Sequence, residues 1–137
     1  MDARIINETD IEFSKEILSR CVEVTVKKHG REDYFSCTVI LVGEGKISQL
    51  SEEHYNKKGA TDVLSFSSDD EGYAGEIVIC PSYIKKQTSD NTFEWEMCHA
   101  AVHGTMHLLG IHHEDDHDAH VQLHKKEKEI IDNILHG

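Results

Sequence analysis

An α+β fold, one small sheet layered against several helices, is predicted by three features of the sequence. Segments with apolar residues at helical spacing are interspersed with a few short β-branched and aromatic runs, glycines punctuate the junctions, and no internal repeat or low-complexity linker divides the chain. With 137 residues and 38% hydrophobic side chains, the chain is long enough to bury one core and too short for two, so residues 1–137 read as a single domain.

Taken in order, Arg4, Ile5 and Ile6 form a short first strand, and Thr9 with Glu12 has the capping-box spacing that starts a helix. Ile11, Ile17, Leu18, Cys21 and Val22 then recur at helical spacing, and Gly30 closes the segment. Tyr34 to Val42 is β-branched and aromatic and reads as a strand, with Gly43 and Gly45 flanking the turn out of it. Lys46 to Tyr55 fits a short helix on the spacing of Ile47 and Leu50, and Gly59 provides the break before a strand from Val63 to Phe66. Ser67 to Gly72 is polar, acidic and turn-like. Gly75 to Cys80 is another strand, with Ile77 and Ile79 on one face and Val78 on the other, and Pro81 suits the first turn of the helix that follows. A further helix starts near Asn91 or Thr92, runs through Trp95 and Val102, and stops at Gly110, a residue able to take the left-handed conformation at a helix end. The final helix runs from about Asp115 to Leu135 with Val121, Ile130, Ile131 and Ile134 on its apolar side.

Composition narrows the class. Met1 to Ile11 mixes Asp2, Arg4, Glu8 and Asp10 among apolar residues, unlike a secretory signal, and no stretch approaches the roughly 18 apolar residues of a membrane span. A cytoplasmic protein without a membrane partner is expected. Cys21, Cys37, Cys80 and Cys98 are scattered with no CxxC pair and read as buried free thiols in a reducing compartment. The formal net charge of −12 argues against nucleic-acid binding through the overall field, so contact with RNA requires a local basic patch. Lysines cluster at Lys27 and Lys28, at Lys57 and Lys58, and at Lys85 and Lys86; the plainer reading makes them solvated surface groups.

His103 and His107 lie four apart in a predicted helix, so their side chains leave the same face about one turn apart. Gly110 ends that helix, which lets the chain turn back and His113 supply a third nitrogen from outside it. The pattern HxxxHxxGxxH has the spacing of metzincin sites. Zinc or a similar ion takes neutral imidazole at about 2.0 to 2.1 Å, and three protein ligands leave a fourth position for water. The pKa of that water falls from about 15.7 to about 7, which points to a metal-dependent hydrolase. The competing structural reading leaves these as histidines of a half-buried helix end in a chain that has 11 of them. Gly104 stands where zincin proteases keep the glutamate of HExxH, which weighs against peptide hydrolysis. His99, one turn before His103, either supports a ligand or water or packs in the core. His112 is expected to point away from the ion, supporting the site beside His99 rather than ligating, and His117, His120 and His124 read as exposed polar residues.

The run His103-Gly104-Thr105-Met106-His107-Leu108-Leu109-Gly110-Ile111-His112-His113 closely resembles the metal-binding signature of the YbeY family of bacterial endoribonucleases. Leu50 to Phe66, ending in Thr61-Asp62-Val63-Leu64-Ser65-Phe66, resembles that family's second signature, and Gly75-Glu76-Ile77 its third. The resemblance covers nearly the whole chain. It implies a small mixed sheet packed against helices, with zinc held by His103, His107 and His113 in a cleft beside the sheet. It also implies a single-strand-specific endoribonuclease that matures the 3′ end of 16S rRNA, serves ribosome quality control and partners the small ribosomal subunit.

The chain departs from the family pattern at three places. Tyr55 stands where the family carries an arginine that contacts phosphate, and Lys57 or Lys58 is the expected substitute, supplying a point charge but no bidentate fork. Ala60 replaces a proline, and Ile111-His112 replaces Tyr-Asp, removing a carboxylate beside the ion. The general base is expected to be Glu76 or Asp62, unless Asp62 caps a turn before its strand. Either activated water or the RNA 2′-hydroxyl is the expected nucleophile. Two other classes stand beside this reading: a metzincin-type protease with a carboxylate from outside the helix, and a non-catalytic ribosome-associated protein whose ion takes a fourth ligand such as His112.

Overall fold

Strand alternation sets the layering. In a computed structural model, which describes residues 1–31, 33, 35–88, 90–111 and 117–136, the first four residues of the last segment by backbone alone, four strands form one sheet. They are β1 (Asp2–Asn7), β2 (Ser36–Leu41), β3 (Val63–Ser67) and β4 (Gly75–Ile79), in the order β1-β2-β4-β3. β1 and β4 both run parallel to β2, and β3 pairs antiparallel to β4, so the sheet is mixed and β3 is one of its edges. The helices are α1 (Lys15–Lys28), α2 (Glu44–Tyr55), α3 (Pro81–Gln87), α4 (Phe93–Leu108) and α5 (His117–His136).

One face of the sheet carries the larger core, in which Val39, Leu41, Ile77 and Ile79 pack with Leu18 and Val22 of α1, Met97 and Val102 of α4, and Ile130 and Ile131 of α5. On the other face Val78 and Cys80 pack with Ile47 of α2 and Leu64 of β3. The expected split of Ile77 and Ile79 from Val78 is therefore present, and by the same period of two Glu76 lies on the α2 side. The fold is α+β, as the sequence predicts.

Several boundaries differ from the sequence reading. Helix α1 begins at Lys15, because Ser14 is its N-cap and the Ser14 hydroxyl accepts from the Ile17 N–H at 3.2 Å. Thr9 is instead committed to a turn in which Asn7 Oδ1 accepts from its backbone N–H at 2.9 Å and its hydroxyl at 2.8 Å, so it caps nothing. Gly43 is the N-cap of α2 and Gly45 lies in its first turn, which starts that helix two residues before Lys46. β2 is shorter than the predicted run, and Tyr34 lies outside the described residues. Val121, expected on the apolar side of α5, is 37% exposed, whereas Ile130 and Ile131 are fully buried. All four cysteines are buried free thiols, as predicted. Among the described residues no helix is long and apolar enough to cross a membrane.

Candidate metal centre and cleft

Helix α4 positions the site. Thr92 caps it, its hydroxyl accepting from the Trp95 N–H at 3.1 Å, and Gly110 ends it at φ +81°, its N–H donating to the His107 carbonyl at 3.0 Å. The predicted stop at Gly110 is present. Between these ends α4 lies hard against β3 and β4. A Cβ on Gly104 would sit 2.6 Å from Ile77 Cγ2, and the Ser65 hydroxyl donates to the Gly104 carbonyl at 3.3 Å. The missing zincin glutamate has a physical reason in this contact: the helix face at 104 is turned into the sheet, where even a Cβ would require Ile77 to shift.

His103 and His107 emerge beside that contact with ring centroids 4.4 Å apart. Both line a cleft of about 520 Å³ between α4 and the edge strand β3. Lys57, Lys58, Tyr55 and Asp62 line the same cleft. Tyr55 is 47% exposed and its hydroxyl donates to the Ser65 carbonyl at 2.7 Å, which ties the end of α2 to β3. Asp62 caps the start of β3, one carboxylate oxygen accepting from the Val63 N–H at 2.8 Å, while still lining the cleft. Glu76 is not among the lining residues; it is exposed on the α2 side of β4. His112 and His113 lie outside the described residues.

The sequence reading missed Glu127. This α5 carboxylate is 4% exposed, and its Oε2 lies 3.0 Å from His103 Nδ1 and 3.5 Å from His99 Nε2. His124, exposed as expected, approaches its other oxygen at 3.9 Å. Burial pushes the Glu127 carboxyl up, but His103 and His99 outweigh it and hold the group at about 2. Burial pulls His99 down, and Glu127 more than compensates, so its pKa is raised. His99 also stacks on Trp95, with centroids 5.3 Å apart, and its Nε2 is buried without a hydrogen bond. A signal for Glu127 was present in the sequence: it precedes Ile130 and Ile131 by three and four residues, which places it on the buried face of α5.

These residues could hold a metal ion. With Nδ1 of His103 taken up by a buried carboxylate, its Nε2 is the nitrogen left for a ligand, and imidazole nitrogen is a donor that zinc favours. His99, His124 and Glu127 also form a group whose donor atoms lie within 4.8 Å of one another.

Fold and site together define a class, an α+β protein with a histidine-walled cleft at the edge of a mixed sheet. The chain belongs to the family described as Endoribonuclease YbeY, which it matches over residues 4–135. It is 31% identical over 133 residues to Endoribonuclease YbeY of Thermotoga maritima, covering 96% of this chain and 87% of that protein. It is 33% identical to Endoribonuclease YbeY of Vesicomyosocius okutanii, covering 93% of this chain and 92% of the relative. The solution structure of TM1509 from Thermotoga maritima superposes with a TM-score of 0.69 at 29% identity, covering 96% of this chain and 88% of that one.

Proposed function

We propose that this protein is a metal-dependent endoribonuclease acting on single-stranded RNA, with residues 1–137 working as one domain. The observation that carries the proposal is the composition of one cleft, lined both by His103 and His107 of α4 and by Lys57 and Lys58 of the segment after α2. The imidazoles suit a zinc ion, with His113 as the third ligand, and the lysines suit a phosphodiester backbone. The net charge of −12 makes that pair of lysines necessary, since the rest of the field repels RNA.

A bound zinc ion would supply Lewis acidity for the phosphoryl oxygens and a lowered pKa for solvent. This chain's own residues supply the rest. Lys57 and Lys58 place phosphates in the cleft, and Tyr55, held by Ser65, offers an exposed aromatic face for a base. The nucleophile, water or the RNA 2′-hydroxyl, must lose a proton. Among the described residues lining the cleft, Asp62 is the carboxylate that can take it, whereas Glu76 lies on the far side of the sheet. Gly104 leaves α4 without the carboxylate a zincin protease needs, which favours RNA over peptide as substrate.

Family membership supports the further reading that the RNA is the 3′ end of 16S rRNA, cut in the cytoplasm on the small ribosomal subunit during maturation and quality control. The test is labelled single-stranded RNA incubated with zinc-loaded protein, with chelated protein and with His107→Ala. Cutting by the first alone is expected. Cutting that persists in the alanine variant would assign the activity to a contaminating nuclease. The product ends identify the nucleophile, since a cyclic 2′,3′-phosphate marks attack by the 2′-hydroxyl.

A further inference from the structure

A carboxylate in the middle of α5 is buried to 4% exposure, a costly placement unless partners offset it. The partners are imidazoles, His103 and His99 of α4 opposite and His124 one turn earlier on α5 itself. Among the described residues the short, well-formed contact is with His103 Nδ1, at 3.0 Å from Oε2; His99 Nε2 lies at 3.5 Å from the same oxygen and His124 Nδ1 at 3.9 Å from the other. The seam is braced where Trp95 Nε1 donates to Asp132 Oδ1 at 3.3 Å and the Trp95 ring backs His99. Glu127 therefore meets His103 from a fixed direction, on the side of the ring away from the other nitrogen.

We infer that Glu127 is a positioning residue: it holds the Nδ1–H tautomer and the ring plane of His103, so that Nε2 is presented to an ion in the cleft. A neutral imidazole without such a partner divides between two tautomers and turns about its side-chain torsions, and only one arrangement ligates. The inference rests on the metal reading proposed above. It also specifies the role of the carboxylate that sits beside His99 and His124: Glu127 acts through His103 and is not itself a ligand.

The two roles separate experimentally. Nitrogen-15 chemical shifts of the metal-free protein, at a pH where the ring is neutral, should show His103 protonated on Nδ1. Finding the proton on Nε2 overturns the inference whatever the variants do. Zinc affinity, measured by competition with a chromophoric chelator, should fall about 10–100-fold in Glu127→Ala, the usual effect of removing a ligand's orienting partner. Glu127→Gln, whose amide oxygen still accepts from Nδ1–H, should retain most of it, and His124→Ala should leave it unchanged. If His124→Ala and Glu127→Gln weaken zinc as much as Glu127→Ala, then Glu127 is a ligand and the inference fails. Wild-type protein that takes up no zinc would overturn the metal reading itself, a result distinct from a wrong tautomer.

Discussion

Gly104 meets Ile77 across the seam between α4 and the sheet, and an added Cβ would lie 2.6 Å from Ile77 Cγ2 and 3.2 Å from Ser65 Oγ. Alanine would improve helix propensity by about 0.8–1 kcal/mol, whereas overpacking a seam costs about 1–3 kcal/mol. The contact wins, because Ile77 is fully buried within the larger core and must shift to admit the new atom. Gly104→Ala is expected to lower the denaturant midpoint without changing the slope, by up to about 2 kcal/mol after the propensity gain is deducted. A variant more stable than the wild type would show that the seam is looser than described.

Glu127 makes the stability of the metal-free protein acid-sensitive. Its carboxyl is lowered from 4.5 to about 2 by His103 and His99, against the opposing effect of burial. The fold therefore resists its protonation: the stabilisation is complete above about 4.5 and is lost as pH falls towards 2. His99 works in the opposite sense, its raised pKa stabilising the fold below 6.5 and fading as pH rises through the folded-state value. Melting temperatures in chelator should fall across the acid window in wild type. Glu127→Gln should start lower and show a shallower fall, and parallel curves for the two would remove Glu127 as the cause.

How much of this was legible in the sequence depends on whether a signal is local. The i, i+4 histidines, the helix start near Asn91 or Thr92 and the Gly110 stop are short-range features of one helix, and all appear in α4 where the residues place them. Thr9 failed as a cap because a nearer partner, Asn7, competes for its hydroxyl, a choice between two local hydrogen bonds that spacing does not decide. Glu76 and Asp62 looked alike as bases, and only the side of the sheet separates them. Glu127 lies 24 residues from His103, and their meeting depends on how α5 packs on α4. The buried face of α5 is visible in Ile130 and Ile131, but which α4 side chain it meets is not.

The cysteines provide a check on the core. Burial and the neighbouring Asp2 push the Cys37 thiol up to about 12; burial raises Cys80, and a hydrogen bond with Cys98 together with burial raises Cys21. The thiolate is the reactive form, so at pH 8 the folded protein should be silent to an aromatic disulfide reagent over minutes. All four thiols should react once denaturant is added. A fast-reacting thiol in the native protein would mean that its segment opens or is misplaced.

Lys57 and Lys58 should control the salt dependence of RNA binding more than its sequence preference. On single strands each neutralised phosphate adds about 0.7 to the steepness of the fall of log affinity with log salt, so removing both contacts should flatten the slope by about 1.4. The comparison is best made in the His107→Ala background, where RNA is bound without being cut, by titrating an oligonucleotide with and without Lys57→Ala and Lys58→Ala at several salt concentrations. Because the remaining charge of the chain repels RNA, loss of both lysines should bring binding near the detection limit at physiological ionic strength. Tyr55→Ala should act differently, costing about 1–3 kcal/mol of affinity with the slope preserved, since stacking on a base releases no counterions. A slope unchanged by both lysine substitutions would return them to the solvated surface and require another basic group to hold the phosphate.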